Sequence, residues 1–173
     1  MNALGRISLI SLFSLLSACA TTAIHSSRRP PYAPNAHWAI APFANYTTTP
    51  GAGERAASIT ASLLLAHGLT NAVAMTAHTQ NGLPLESPPS TKTLLTKARA
   101  LGARYVVLGA VQEWRYTIGL DGQPAIAVTI NVASARTGHI IWSATASRSG
   151  TPRESVGVLA EDTLNAMVNR LLP

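Results

Sequence analysis

The sequence predicts an α/β fold, a two-layer sandwich with a mainly antiparallel sheet of about four or five strands and three helices. Between residues 104 and 148, three long segments alternate apolar and other residues with a period of two, which is typical of strands with one buried face. Segments 54–67, 91–101 and 151–171 place apolar residues at helical spacing instead. Their order, β-α-β-α-β-β-β-α, favours one sheet covered on one side by helices.

The first half of the domain predicts two strands and one helix. Trp38–Phe43 is apolar and is followed by a turn region, so it predicts the first strand. Glu54–His67 predicts a helix that Gly68 closes. Asn71–Met75 predicts a short strand, and the Pro-, Ser- and Gly-rich residues 78–90 predict a loop.

The second half predicts a helix, a three-stranded meander and a final helix. Thr91–Leu101 predicts the second helix, because its leucines share one face. The three long strands are Arg104–Thr117, Pro124–Ala135 and His139–Arg148. Asp121-Gly122 supplies a hairpin turn between the first two. For the last helix we expect Thr151 as N-cap and Glu154 as its capping-box partner.

Residues 1–18 are typical of a signal peptide. Arg6 precedes the uncharged run Ile7–Ala18, which is shorter than the roughly 20 residues that span a bilayer. The run ends in Leu-Ser-Ala-Cys19, which resembles the lipobox of bacterial lipoproteins, and Cys19 is the one cysteine of the chain. We expect cleavage before Cys19 and acylation of its thiol, with palmitate-type chains as the anchor. The alternative is a plain secretory signal with an inert thiol.

We expect residues 19–36 to form a lipidated cysteine followed by a flexible tether, and residues 37–173 to form the single folded domain. The tether lacks periodicity and is rich in proline. Ala20 follows Cys19 where an inner-membrane lipoprotein would carry Asp, so we expect the outer membrane, with the domain facing the periplasm.

The amino-acid composition excludes several classes of protein and of partner. The chain has 173 residues and one cysteine, which excludes an internal disulfide framework and a multi-cysteine zinc site. With 47% hydrophobic and 12% charged residues it is not wholly disordered. The net charge of +6 is compatible with nucleic acid, an anionic membrane or an acidic polymer. Because the basic residues are dispersed along an exported chain, we expect no nucleic-acid partner.

No catalytic motif is found in the sequence. The five histidines are scattered, and no nucleophile elbow or paired acid and base stands out. Gly51–Ala56 matches a dinucleotide-binding G-x-G-x-x-A pattern, but no acidic residue follows in residues 70–80. A loop entering a helix is the better interpretation. We therefore expect a non-enzymatic protein with no metal and no cofactor.

Three groups of segments together resemble the PelC family. These segments are Trp38–Thr47 with Gly51–Ala56; Gly102–Gly109 with Gln112–Tyr116 and Gly119–Ala125; and Thr137–Ala144 with Ser149–Ser155. Glu113-Trp-Arg-Tyr116 and Gly119-Leu-Asp-Gly-Gln-Pro-Ala125 are the most specific. The Trp38-x-x-x-Pro-Phe and Thr137-Gly-x-x-x-Trp pieces are shared with CsgG-like secretion lipoproteins, of the TolB-N-like superfamily, and with activators of peptidoglycan synthases.

The resemblance implies an outer-membrane lipoprotein of Pel exopolysaccharide export in biofilms. Members of the PelC family assemble as a homo-oligomeric ring, a dodecamer, beneath an outer-membrane polysaccharide porin with tetratricopeptide repeats. The polymer is cationic, because part of its amino sugar is de-N-acetylated. An acidic funnel would steer it without covalent chemistry.

Two acidic residues are candidates for polymer contact. Asp121 lies at a predicted hairpin tip, where a ring would repeat it in every subunit, although Asp-Gly also serves turn chemistry. Glu113 either lines the funnel or pairs with Arg115 of a neighbour, and the second role makes Arg115 a subunit-interface candidate. Trp38 and Trp142 are expected in the core.

The net charge leaves alternatives open. Without residues 1–18 the chain keeps twelve basic and seven acidic side chains, a charge of +5. Either the basic residues face the membrane and the subunit interfaces and leave a locally acidic lumen, or the polymer of this system differs and is an anionic rather than a cationic exopolysaccharide. The alternative function is a periplasmic lipoprotein that activates a peptidoglycan synthase, or a CsgG-like secretion component.

Overall fold

The computed structural model describes residues 22–33, 35–75, 79–80, 83–84, 89–117 and 122–172. The strands are β1 Thr22–Ser26, β2 Trp38–Ile40, β3 Ala44–Asn45, β4 Ala72–Ala74, β5 Thr79–Gln80, β6 Leu83–Pro84, β7 Tyr105–Tyr116, β8 Pro124–Ser134 and β9 Ile140–Ser149. The helices are α1 Ala52–Ala66, α2 Thr91–Ala100 and α3 Val156–Leu171. The signal peptide and Cys19 lie outside the described residues.

One mixed sheet organises the fold. Its strand order is β1-β9-β8-β7-β2-β4, and β3 also pairs with β7, which makes seven strands. The β1, β9, β8 and β7 neighbours are antiparallel, whereas β2 and β3 run parallel to β7. The α/β class is confirmed. The expected four or five strands were too few, because two- to five-residue strands such as β1 and β3 carry no periodic signal.

The core face of the sheet confirms the period-two pattern. Ile126, Val128, Ile130 and Val132 are all buried on this face of β8. Helices α1 and α3 cover it, as the shared core cluster of their apolar side chains shows. Trp142 belongs to the same cluster and, like Trp38, is almost wholly buried, so both tryptophans are core residues.

Among the described helices, α2 covers one end of the opposite face. There α2 packs Leu94 and Ala98 against Ala39 and Val106, in a second small core. Helices therefore lie on both sides of the sheet rather than on one. Beyond α2, what we call the open face exposes small polar side chains, with hydrogen bonds such as that from Thr129 Oγ1 to the amide oxygen of Gln112 at 3.1 Å.

The expected flexible tether is part of the fold from residue 22 onward. Thr22–Ser26 pair antiparallel with β9, and Ile24 packs against the main core. Residues 27–37, which we call the strap, then cross the end of the sheet to reach β2. Ser27 N donates to Ser143 O at 2.8 Å, and Arg29 donates to Leu172 O. Backbone pairing, rather than side-chain pattern, orders this segment.

An aromatic cluster fixes the strap. The Tyr32 ring lies 4.9 Å from Trp38 and 5.3 Å from Tyr105, both edge-on. Ala33 N donates to Tyr105 Oη at 3.0 Å. Burial raises the pKa of Tyr32 far above its usual value, so its hydroxyl stays neutral.

The last helix begins four residues later than a Thr151 cap would place it. Ser155 is the N-cap and accepts from Val158 N at 3.1 Å. Arg153 has a φ of 89°, which no helical residue adopts, so the first turn cannot start before it. Glu154 Oε2 still accepts from Thr151 N at 3.0 Å, but it closes a turn instead of a capping box.

The glycine-rich match at Gly51–Ala56 has a packing explanation. Gly51, with a φ of 70°, is the N-cap of α1, and a Cβ on Gly53 would lie 2.2 Å from Phe43 O. The glycines therefore allow a tight turn and close contact between helix and strand.

Candidate functional site

The two ends of the sheet differ in structure. We call the end where β7 meets β8 and where α3 begins the hairpin end. The opposite end, where β7 begins and the strap crosses, is the strap end. The twelve residues of β7 separate the two ends by about 36 Å.

A β-bulge decides which way Glu113 points. Strict alternation from the buried Val111 would put Glu113 on the core face. The register shifts between the two, so that Val111 pairs with Val128 and Glu113 with Ala127. Glu113 thereby moves to the open face, and Trp114, 5% exposed, takes the core position.

Glu113 and Arg115 pair within one chain. They are two residues apart on one strand and share the open face, and Arg115 Nε donates to Glu113 Oε1 at 2.5 Å. Arg115 also donates to Thr117 Oγ1 at 2.8 Å. The side chains are 60% exposed for Arg115 and 30% for Glu113, so the pair contributes about 0–1 kcal/mol. Pairing between neighbours stays a prediction, and it would have to replace this contact.

Asp121 lies outside the described residues. The backbone on either side of it is joined, since Thr117 N donates to Gln123 O at 3.0 Å. Tyr116 Oη also donates to Gly122 O at 3.1 Å. The two strand ends that flank the segment with Asp121 are therefore held together by hydrogen bonds.

Charge is separated between the two ends. Every described acidic residue lies in the half towards the hairpin end: Glu54, Glu113, Glu154, Glu161 and Asp162. Four arginines share that half, and Arg148 pairs with Asp162 at 3.6 Å. The basic residues at the strap end are Arg28, Arg29, Lys97, Arg99, Arg104 and Arg136, whereas Arg170 donates to Ile24 O in the middle of β1. The net positive charge is thus concentrated at the strap end.

One cavity on the open face has a mainly apolar lining. It measures about 460 Å³ and is lined by residues that include Tyr46, Leu94, Leu108 and Ile140. Among the described residues that line it, there is no carboxylate, histidine or cysteine. Within the described ranges, no three His, Cys, Asp or Glu side chains come together as a metal site. None of the described helices is both long and apolar enough to cross a membrane.

Sequence reasoning missed the clustering of basic residues. Arg104 and Arg136 are distant in sequence, but they flank Tyr105 and Ser134, which pair in the sheet. Antiparallel pairing of β7 with β8 was predicted, and it already implies that these two residues share one end. The position of α2 beside them, which adds Arg99, had no sequence signal.

Comparison with solved structures gives one strong similarity. The chain is similar to a PelC dodecamer from Paraburkholderia phytofirmans, with 32% identity over 87% of this chain and 96% of that chain, and a TM-score of 0.75. A single-residue variant of that dodecamer matches with the same identity and TM-score. Lipoprotein GNA1162 from Neisseria meningitidis is 17% identical over 78% of this chain and 99% of that chain, with a TM-score of 0.53. This last similarity shows the fold alone. No protein-family model and no curated protein matches the sequence.

Proposed function

Because the chain belongs to the PelC family, we propose that it is a ring-forming outer-membrane lipoprotein that guides an exopolysaccharide towards a porin. The observation that carries the proposal is 32% identity, over 87% of the chain, to a protein that crystallises as a dodecamer. A domain of this size cannot enclose a conduit alone, so assembly supplies what one copy lacks. The proposal requires no catalysis.

In this proposal the acyl anchor holds the folded domain close to the membrane. Three peptide steps along the chain, with two residues between, separate the expected acyl anchor, Cys19, from Thr22, the first residue of β1. This leash spans at most about 11 Å. Thr22 pairs with Arg148 near the hairpin end, which the anchor would hold next to the bilayer. The strap end then points into the periplasm.

The separation of charge supports steering of a cationic polymer. The described carboxylates all lie in the half towards the hairpin end, where they outnumber the arginines five to four, and ring symmetry would multiply this excess. A confined acidic surface concentrates cations by its field. Glu113 is already paired with Arg115, so Asp121 is the stronger candidate for polymer contact. A porin with tetratricopeptide repeats is the expected receiver.

The alternative, activation of a peptidoglycan synthase, is less well supported. An activator anchored in the outer membrane must reach an enzyme across the periplasm. Pairing of β1 with β9 shortens the free tether from the expected eighteen residues to the few before Thr22. The remaining leash of about 11 Å does not provide that reach.

Export of the polymer tests the proposal. Asp121→Asn removes one charge per subunit, and we expect secreted polymer to fall by roughly threefold or more, because the steering field weakens. Glu161→Gln is the charge-matched comparison, since it removes one exposed carboxylate of the same half, and the larger fall expected for Asp121→Asn measures the effect of its position. Equal secretion by both variants, at equal protein levels, would remove Asp121 from the mechanism.

A further inference from the structure

A cleft at the strap end is lined by arginines from three segments. Arg99 lies in the last turn of α2, Arg104 precedes β7, and Arg136 lies in the turn after β8. The cleft measures about 710 Å³ and includes Pro30 and Pro31 of the strap. It is thus a concave surface to which three arginines contribute.

The three arginines are available to a ligand. All three are exposed, and none makes an ion pair with any part of the chain that the structure describes. Arg99 donates to Thr96 Oγ1 at 3.1 Å and to Ala135 O at 3.4 Å, and Arg104 lies 5.8 Å from the centre of the Tyr105 ring. Each guanidinium has five N–H donors, so most of them remain unused by these contacts.

The surroundings of the cleft reinforce its positive potential. The described acidic residues all lie towards the other end of the sheet, farther away than the Debye length of about 8 Å. Arg28 and Arg29 add positive charge from the strap. No described acidic residue at this end neutralises the cluster, so its positive potential attracts an anionic partner.

We propose that this cleft binds an acidic segment of a periplasmic partner protein, through carboxylates held by the guanidinium groups of Arg99, Arg104 and Arg136. The planar fork of arginine matches a carboxylate with two parallel hydrogen bonds. The inference rests on the proposed membrane attachment, which holds the hairpin end at the bilayer and turns the strap end towards the periplasm. An acidic segment can enter a narrow cleft and pair with several arginines at once.

Other anions fit the cleft less well. A sugar ring needs an exposed aromatic face to pack on, whereas Tyr105 is 7% exposed and packs against Trp38 and Tyr32. Lipid headgroups of the anchoring membrane lie at the opposite end, because the leash of about 11 Å is much shorter than β7. The remaining candidate ligand for the cleft is the acidic half of a second copy of this chain. The experiment below distinguishes it from a partner protein.

Binding of a labelled decaglutamate peptide to the lipidated protein in detergent tests the proposal by fluorescence anisotropy. The variant Arg99→Gln/Arg104→Gln/Arg136→Gln should bind roughly tenfold or more weakly, since it loses three charge-assisted contacts. The control Arg55→Gln/Lys92→Gln/Arg153→Gln loses the same net charge elsewhere and should stay within about twofold of the parent. Arg136→Gln alone, in an exposed turn, should weaken binding by about threefold and serves if the triple variant does not fold.

Several results would overturn the proposal. Equal loss of affinity in both triple variants would mean that total charge, not the cleft, binds the peptide. Tighter binding of oligogalacturonate, or of vesicles with 30% phosphatidylglycerol, would assign the cleft to a sugar acid or a lipid. A smaller oligomer in the cleft variant would assign it to a second copy. If the protein is monomeric but still binds the peptide through the cleft, the proposed ring is wrong and the cleft proposal stands.

Discussion

Strand β1 should leave the sheet when Ile24 is replaced by aspartate. Ile24 is the residue of β1 that packs against the main core, opposite Ala146 of β9. Ala23 is opposite Ser147 and points to the open face. The pair Ile24→Asp and Ala23→Asp therefore places the same charge on the two faces of one strand.

The structure sets the magnitude of the effect. Full burial of an isoleucine side chain contributes about 1.5–3 kcal/mol, and Ile24 is half-buried, so about 1 kcal/mol is lost. Placing a carboxylate against apolar side chains adds about 1 kcal/mol or more. We expect Ile24→Asp to lower the free energy of unfolding by about 2 kcal/mol, and Ala23→Asp to lower it by less than about 0.5 kcal/mol.

Urea denaturation measures the stability, and amide hydrogen exchange locates the change. Exchange at residues 22–27 should accelerate in Ile24→Asp, while the amides of β7 and β8 keep their protection relative to the global stability. Equal stability of the two variants, or fast exchange of residues 22–27 in the unmodified protein, would refute the integration of β1 and restore a flexible tether.

Two further predictions follow from individual residues. Gly109→Ala should cost about 1–3 kcal/mol in urea denaturation, because the added Cβ would lie 2.3 Å from the buried Phe43 ring. Gly157→Ala is its control and should be neutral or stabilising. Gly157 lies in the first turn of a helix, where alanine is preferred to glycine, and the added Cβ would have its nearest neighbour 3.8 Å away. Cys19→Ala should move the protein from the membrane fraction to the soluble periplasmic fraction, because the acyl chains have no other attachment site, and full membrane retention would exclude Cys19 as the anchor.

Long periodic elements were predictable from the sequence. The alternation through Ile126 and Val132 identified β8 and its buried face, and helical spacing identified α1 and α2. In each case the pattern lies within one contiguous segment, so local sequence is sufficient.

Features that depend on distant partners were not predictable. In β1 a single apolar residue faces the core, and the strand exists because β9, more than a hundred residues away, offers a free edge. The start of α3 depends on the left-handed conformation of Arg153, which leaves Ser155 rather than Thr151 as the cap.

The candidate site was predictable in part. The spacing of Glu113 and Arg115 places them on one face of a strand, as observed. Which face they take depends on the bulge, which could have been inferred from Val111 and Trp114, because strict alternation puts residues three apart on opposite faces and would leave one of these two large apolar side chains exposed. The arginine cleft required the ends of β7, β8 and α2 to meet in space.

The mass of the assembled protein tests the central claim most directly. Native mass spectrometry of the acyl-free chain from Ala20, with sedimentation over a range of concentrations, measures the number of subunits. We expect a closed ring of one size, as in the PelC dodecamer that this chain resembles. A strict monomer at high concentration, both acyl-free and lipidated in detergent, would contradict a ring-forming conduit.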